Sequence, residues 1–260
     1  RDDVESRGLG DVYKRQTRKA VMETARHIGL KSVSFDFSVY KTKKPVLKFA
    51  ENDFVLFAAP VYGGRVPALF TEYLQNIAGK NTPAALIVTY GCREYEDALL
   101  ELKTEAESHG FKVIGAAAFP TEHSIVPAIG SRRPNKDDLK TIGEFGVELN
   151  RRIKNEKNFD HIQLKVPGNS PYRKYGTVPL TPKADANLCT ECGSCAKVCP
   201  AGAISLKDPK KTDSKKCISC MKCIRICRQN ARSVNSLKLR MLENKLKKVC
   251  RSDKEADIFL

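Results

Sequence analysis

Cys189-Thr190-Glu191-Cys192-Gly193-Ser194-Cys195-Ala196-Lys197-Val198-Cys199-Pro200 is matched by Cys217-Ile218-Ser219-Cys220-Met221-Lys222-Cys223-Ile224-Arg225-Ile226-Cys227-Arg228, each cysteine of the second run lying 28 positions after its counterpart. Eight of the ten cysteines belong to this repeat. Three thiolates in short succession hold one face of an iron-sulfur cube, while the fourth, further along the run, points away to a neighbouring cube. The spacing therefore predicts swapped ligation. One quartet is Cys189, Cys192, Cys195 and Cys227; the other is Cys217, Cys220, Cys223 and Cys199. Zinc and disulfides compete with this reading. Zinc sites usually space four cysteines as two separated pairs, and disulfides need an oxidising compartment.

The double run resembles the bacterial-type ferredoxin domain with two 4Fe-4S clusters, over about residues 183–235. The resemblance implies a small α+β domain with pseudo-twofold symmetry, each half supplying a short strand pair and a helix. Ala203 and Ala231 continue the repeat at the same offset. Arg228 departs from it, standing where the first run has Pro200. A guanidinium beside Cys227 is expected to favour the reduced, more negative state of the nearer cube.

The chain has 260 residues, 41% of them hydrophobic, enough for one full domain and a small one. No apolar run approaches the roughly 18 residues of a membrane span, and no secretory signal is legible. Thiols kept for metal imply a reducing compartment, so the expected location is cytoplasmic. The net charge is +16, and residues 183–260 hold 18 Lys or Arg against 8 Asp or Glu. Such a face suits an acidic redox partner protein. Nucleic acid is not expected as a partner, because no binding module or interleaved aromatics accompany the charge.

Upstream, residues 1–16 show neither alternation nor a helical stripe and read as a non-native or disordered leader. From Thr17 a helix to Leu30 is expected, then a strand over Val33–Phe37, a buried strand over Asp53–Ala59 and a helix over Pro67–Ala78. A strand over Ala84–Tyr90, a helix over Glu94–His109, a strand over Phe111–Phe119 and a helix over Lys136–Lys154 follow. This alternation means parallel strands with helices on both faces. Ligands of such sheets bind beyond the carboxyl ends of the strands. Those ends carry Pro60-Val61-Tyr62-Gly63-Gly64-Arg65 and Thr89-Tyr90-Gly91-Cys92-Arg93-Glu94-Tyr95.

Residues 17–155 resemble the α/β flavodoxin-like fold, a doubly wound parallel sheet. The resemblance implies FMN between these loops, with Pro60, Tyr62, Gly63, Gly64, Thr89, Tyr90, Gly91 and Tyr95 around the ring and Thr17 left of the phosphate-binding loop. The order of the two domains is similar to that of prokaryotic flavodoxin-ferredoxin fusion proteins. No apolar strand precedes Thr17, so the first strand, interior in the 2-1-3-4-5 order, is missing. FMN therefore belongs to the intact family, and this chain is expected to bind it poorly.

Residues 156–182, with four prolines, read as a linker. Residues 236–260 place Leu239, Leu242, Leu246 and Val249 at helical spacing among basic residues. They read as a basic amphipathic helix that either packs on the chain itself or makes peripheral membrane contact. No acid-base pair or nucleophile constellation stands out. The expected activity is single-electron transfer through two 4Fe-4S clusters; the alternative is a flavin-dependent reductase of a small-molecule acceptor.

Overall fold

A computed structural model describes residues 16–37, 45–156, 158–176, 178 and 180–260. Helix α1 (Gln16–Ile28) buries Thr17, Ala20, Val21, Thr24 and Ile28 along one stripe. There follow β1 (Leu47–Phe49), β2 (Val55–Pro60), α2 (Ala68–Leu74), β3 (Ile77–Gly79), β4 (Thr82–Tyr90), α3 (Ala98–Ser108), β5 (Phe111–Pro120) and α4 (Lys136–Asn155). Strands β2, β4 and β5 pair in parallel with β4 central, and all nine residues of β4 are buried. Helices α1 and α4 cover one face, over Ala58, Ala85, Ile87, Ile114 and Phe119. On the other face, α2 and α3 lie over Phe57, Ala59, Leu86, Val88 and Ala116. Burial on both faces explains why these strands are continuous apolar runs rather than alternating ones. The domain is an α/β, doubly wound sheet. Its last helix starts at a capping box: Asn135 Oδ1 accepts from Asp137 N and Asp138 N while Asn135 N donates to Asp138 Oδ2. Such a cap stabilises a helix by about 1 kcal/mol.

Among the described residues β2 pairs along one edge only. Beside its other edge lies an apolar groove of about 550 Å³, lined by Val21, Ala25 and Ile28 of α1 and by Leu47, Phe49 and Ile77 of β1 and β3. Strands β1 and β3 form a separate parallel pair.

Three expectations need correction. Val33–Phe37 is irregular rather than a strand, although Ser34 and Phe37 are buried; Phe37 packs on Tyr73 with ring centroids 5.1 Å apart. Helix α2 stops at Leu74 instead of Ala78, because Asn76 N bonds Tyr73 O and the chain then enters β3. Gln16 opens α1, whereas the rest of the expected leader, residues 1–15, lies outside the described residues.

The C-terminal domain consists of β6 (Lys183–Ala184), α5 (Ser194–Lys197), α6 (Lys222–Arg225) and β7 (Arg232–Ser233), with β6 and β7 antiparallel. Its pseudo-twofold is visible bond by bond. Asp185 N donates to Ala231 O at 2.7 Å, and its mate Asp213 N donates to Ala203 O at 2.8 Å, so each half closes on the other. Left-handed backbone recurs at Glu191 and Ser219, Gly193 and Met221, Gly202 and Asn230.

Beyond this domain α7 (Ser236–Val249) returns to the α/β domain. Leu239, Leu242 and Leu246 pack with Cys92, Ile125, Val126 and Ile129, while Lys238, Arg240, Lys245, Lys247 and Lys248 face water. The expected helix over 236–260 thus ends at Val249, which is exposed. The remaining tail forms β8 (Asp257–Phe259), antiparallel to β5. That short strand covers a sheet edge that would otherwise present unpaired backbone.

The segment expected as a linker is pinned to the α/β domain. Asp97, buried at the start of α3, accepts from Asn169 N, Asn169 Nδ2 and Arg173 N. Burial raises this carboxyl, but the donors of Arg173 and Asn169 and the Arg65 cation outweigh it and hold it below its ordinary value. Leu164 and Val166 pack against the same core face as α3.

Candidate metal centre

The eight cysteines of the repeat gather around two cavities. The first, about 430 Å³, is lined by Cys189, Cys192, Cys195 and Cys227 together with Gly193, Pro209, Arg228 and Arg232. The second is tighter, about 20 Å³, and is lined by Cys199, Cys217, Cys220 and Cys223 with Pro182, Pro200, Ala203, Ile204 and Met221. Short helices α5 and α6 follow left-handed residues, Gly193 and Met221, that turn the chain around each cavity. Glycine adopts that conformation at little cost; methionine does so against a steric penalty of about 1 kcal/mol or more.

Backbone donors are already aimed at sulfur. Ala203 N donates to Cys199 Sγ at 3.2 Å, and Ala231 N to Cys227 Sγ at 3.3 Å. These are the two cysteines that close each run. Burial acts on four of the others. It pushes the Cys220 thiol up to about 12 and the Cys223 thiol to about 11, and raises Cys217 and Cys195 as well. Cys192, which is exposed, is lowered, first of all by its hydrogen bond with Ser194. Four soft sulfur donors at each cavity match the donor set of an iron-sulfur cube. Among the described residues no three His, Cys, Asp or Glu side chains converge around a single metal ion.

Arg228, singled out by its place in the repeat, is solvent-exposed, so water screens its charge. The buried guanidinium is Arg232. It is 3% exposed and donates from Nη1 to Cys195 Sγ at 3.6 Å and to Pro209 O at 2.7 Å. A signal for it existed in the sequence, since the 28-residue offset pairs Arg232 with Ile204.

The residues expected around FMN divide. Gly63, Gly64, Tyr90 and Gly91 line one cavity, joined by Arg93, Glu94 and His123 and roofed by Val178, Leu242 and Leu246. Pro60, Tyr62, Thr89 and Tyr95 lie nearby in the same strand-end loops, outside that lining. Gly63 and Gly64, with φ of 61° and 83°, close the Tyr62–Arg65 turn, where both central residues need positive φ. The space a flat ring would use holds the chain's own side chains. An added Cβ at Gly64 would run into the Glu96 carboxylate, and one at Gly91 would meet His123 Cδ2 at 2.5 Å. Tyr90 and Tyr95 are buried against one another at 5.3 Å, and burial raises both phenols. Thr17 is buried and its Oγ1 lies 2.6 Å from Thr89 Oγ1, within the core. The cavity is about 130 Å³, well under the roughly 300 Å³ at which ligand pockets begin, so a flavin does not fit this arrangement.

Comparison with known proteins agrees with the C-terminal half of this description. The family model of the 4Fe-4S dicluster domain matches residues 188–232. The chain is similar to the structure of a flavodoxin from the domain Archaea at 11% identity, covering 57% of this chain and 98% of that one, with a TM-score of 0.42. It is also similar to a two-electron reduced Megasphaera elsdenii flavodoxin at 15% identity, with 55% and 99% covered and a TM-score of 0.36. The flavodiiron core of Flv1 from Synechocystis sp. PCC6803 is 14% identical, with 56% and 34% covered and a TM-score of 0.36. No curated protein matches the chain. A 4Fe-4S dicluster domain thus follows an α/β domain built on a parallel sheet. Among the described residues no helix is long and apolar enough to cross a membrane.

Proposed function

We propose that the chain is an iron-sulfur electron-transfer protein holding two 4Fe-4S cubes, one in each cysteine quartet. The observation that carries this reading is the grouping of Cys227 with the first trio and of Cys199 with the second, across the pseudo-twofold. When bound, each cube supplies one-electron chemistry at potentials set by charge, hydrogen bonds to sulfur and exposure. The protein's share is to hold the thiolates, supply the Ala203 and Ala231 N–H donors, and exclude water with Pro182, Pro200, Ala203 and Ile204. Residues 183–235 form the redox module in this reading, and residues 17–155 with 156–182 form the body that carries it. The basic excess around the module suits an acidic protein partner in a reducing compartment.

Anaerobically purified protein should contain about eight irons and a similar amount of sulfide per chain. Zinc in their place would end this reading. FMN in the same preparation should be well below one per chain, because Leu242 and Leu246 roof the cavity at the glycine loops. Stoichiometric FMN would show that α7 moves aside. A flavin-dependent reductase requires an open pocket over the ring, and no observation here favours it.

A further inference from the structure

The two halves of the ferredoxin-type domain match position by position in backbone, in N–H donors to sulfur and in left-handed residues. They differ in buried charge at one pair. Ile204, 5% exposed, is an apolar wall; its mate Arg232, 3% exposed, is a cation. The hydrogen-bond partners of Arg232 include Cys195 Sγ, Pro209 O, Pro182 O, Thr212 Oγ1 and the Cys223 thiol, and none of these is a carboxylate. Its Nε is buried with no hydrogen-bond partner. A buried guanidinium without a counter-charge is costly, so the fold keeps one only where a negative charge comes to offset it. Arg232 lines the cavity of Cys189, Cys192, Cys195 and Cys227 and not the other.

We propose that Arg232 makes the two cysteine quartets unequal electron acceptors, so that the quartet Cys189, Cys192, Cys195 and Cys227 is reduced first. The inference rests on the reading of the domain as a holder of two cubes. A one-electron donor adds one negative charge to a quartet and its cube, and the nearest fixed positive charge decides where that addition is favoured. The cation also acts on Cys223 and Cys217 of the other quartet. Both potentials are therefore raised by Arg232, and the first is raised more because the guanidinium lines that quartet's cavity and not the other.

The test is a redox titration of the intact, iron-loaded protein, followed by electron paramagnetic resonance with a chemical reductant. Cys189→Ser and Cys217→Ser each perturb one signal and so assign the two. In the native protein the signal perturbed by Cys189→Ser should appear first; equal potentials or the reverse order overturn the proposal. Arg232→Gln removes the charge and keeps a polar side chain. It should narrow the gap between the two reduction equilibria at least tenfold, which is 59 mV for a one-electron couple. Arg232→Ile, the residue of the mate position, should do the same, and Arg232→Lys should keep the gap. An unchanged gap in an iron-replete Arg232→Gln protein overturns the proposal, as does a gap lost in Arg232→Lys. Native protein devoid of iron and sulfide would instead defeat the underlying reading of the domain.

Discussion

Cys199→Ala should lose the cube of the distant trio, Cys217, Cys220 and Cys223, while leaving that of its own run in place. Its iron content should fall by roughly half from that of a two-cube protein. The surviving resonance should be the one that survives in Cys217→Ala and the one that disappears in Cys189→Ala. Cys227→Ala should give the complementary result, matching Cys189→Ala. The reasoning starts from the peptide groups. In each half the N–H four residues beyond the last cysteine points at its sulfur, holding that side chain away from its own trio and toward the facing one. Removing the sulfur of Cys199 also strands the Ala203 N–H in a buried wall, which costs about 1–3 kcal/mol. Cys227 is only half-buried, so its replacement should be the milder of the two for stability. If Cys199→Ala loses the same signal as Cys189→Ala, each run binds its own cube and the swapped assignment is wrong.

The metal centre was legible because its chemistry is local. Four cysteines within eleven residues constrain the backbone wherever the rest of the chain goes, and the repeat predicts which trio a fourth cysteine serves. The same repeat contained Arg232, but only through comparison with Ile204; an arginine in a chain with a net charge of +16 carries no signal alone. The central strands β4 and β5 were legible because burial on both faces leaves a long apolar run. The short ones were not. β8 is Asp257-Ile258-Phe259, too brief to alternate, and it exists because β5 offers an edge. Val33–Phe37 failed in the opposite sense: the residue types favour a strand, but among the described residues no neighbouring edge pairs with it. The fate of residues 169–176 was equally hidden. Prolines and glycines suggest a loose connection, whereas the bonds that order it come from Asp97 and Arg65, more than seventy residues away.

That hidden clamp gives the other large expected effect. Glu101→Ala should destabilise the α/β domain by about 3–5 kcal/mol, because it leaves the Arg65 guanidinium buried without its partner. Glu101, 2% exposed, accepts from Arg65 Nε and Nη2, both at 2.7 Å, from Val66 N at 3.0 Å and from Tyr175 Oη at 3.0 Å. The cation lies over the rings of Tyr175 and Tyr172, at 4.2 and 4.9 Å, and Arg65 Nη1 donates to Arg173 O at 2.5 Å. Burial, followed by the Glu101 charge, pushes the Tyr175 phenol up to about 12, so it remains a donor at neutral pH. One carboxylate therefore holds α3, the Tyr62–Arg65 turn and the 169–176 segment together. For a domain of this size the loss corresponds to a fall in Tm on the order of 10 °C. Limited proteolysis should open within 169–176 before the sheet unfolds. Iron content should stay at the native level, since the quartets share no side chain with the clamp. Replacing Arg65 and Glu101 together by leucine should recover much of the loss, because the penalty comes from the unpaired charge rather than from the absence of a pair. A Glu101→Ala protein that melts with the native one, and resists protease equally, would show that the clamp does not contribute to stability and that segment 169–176 is held by its apolar contacts alone.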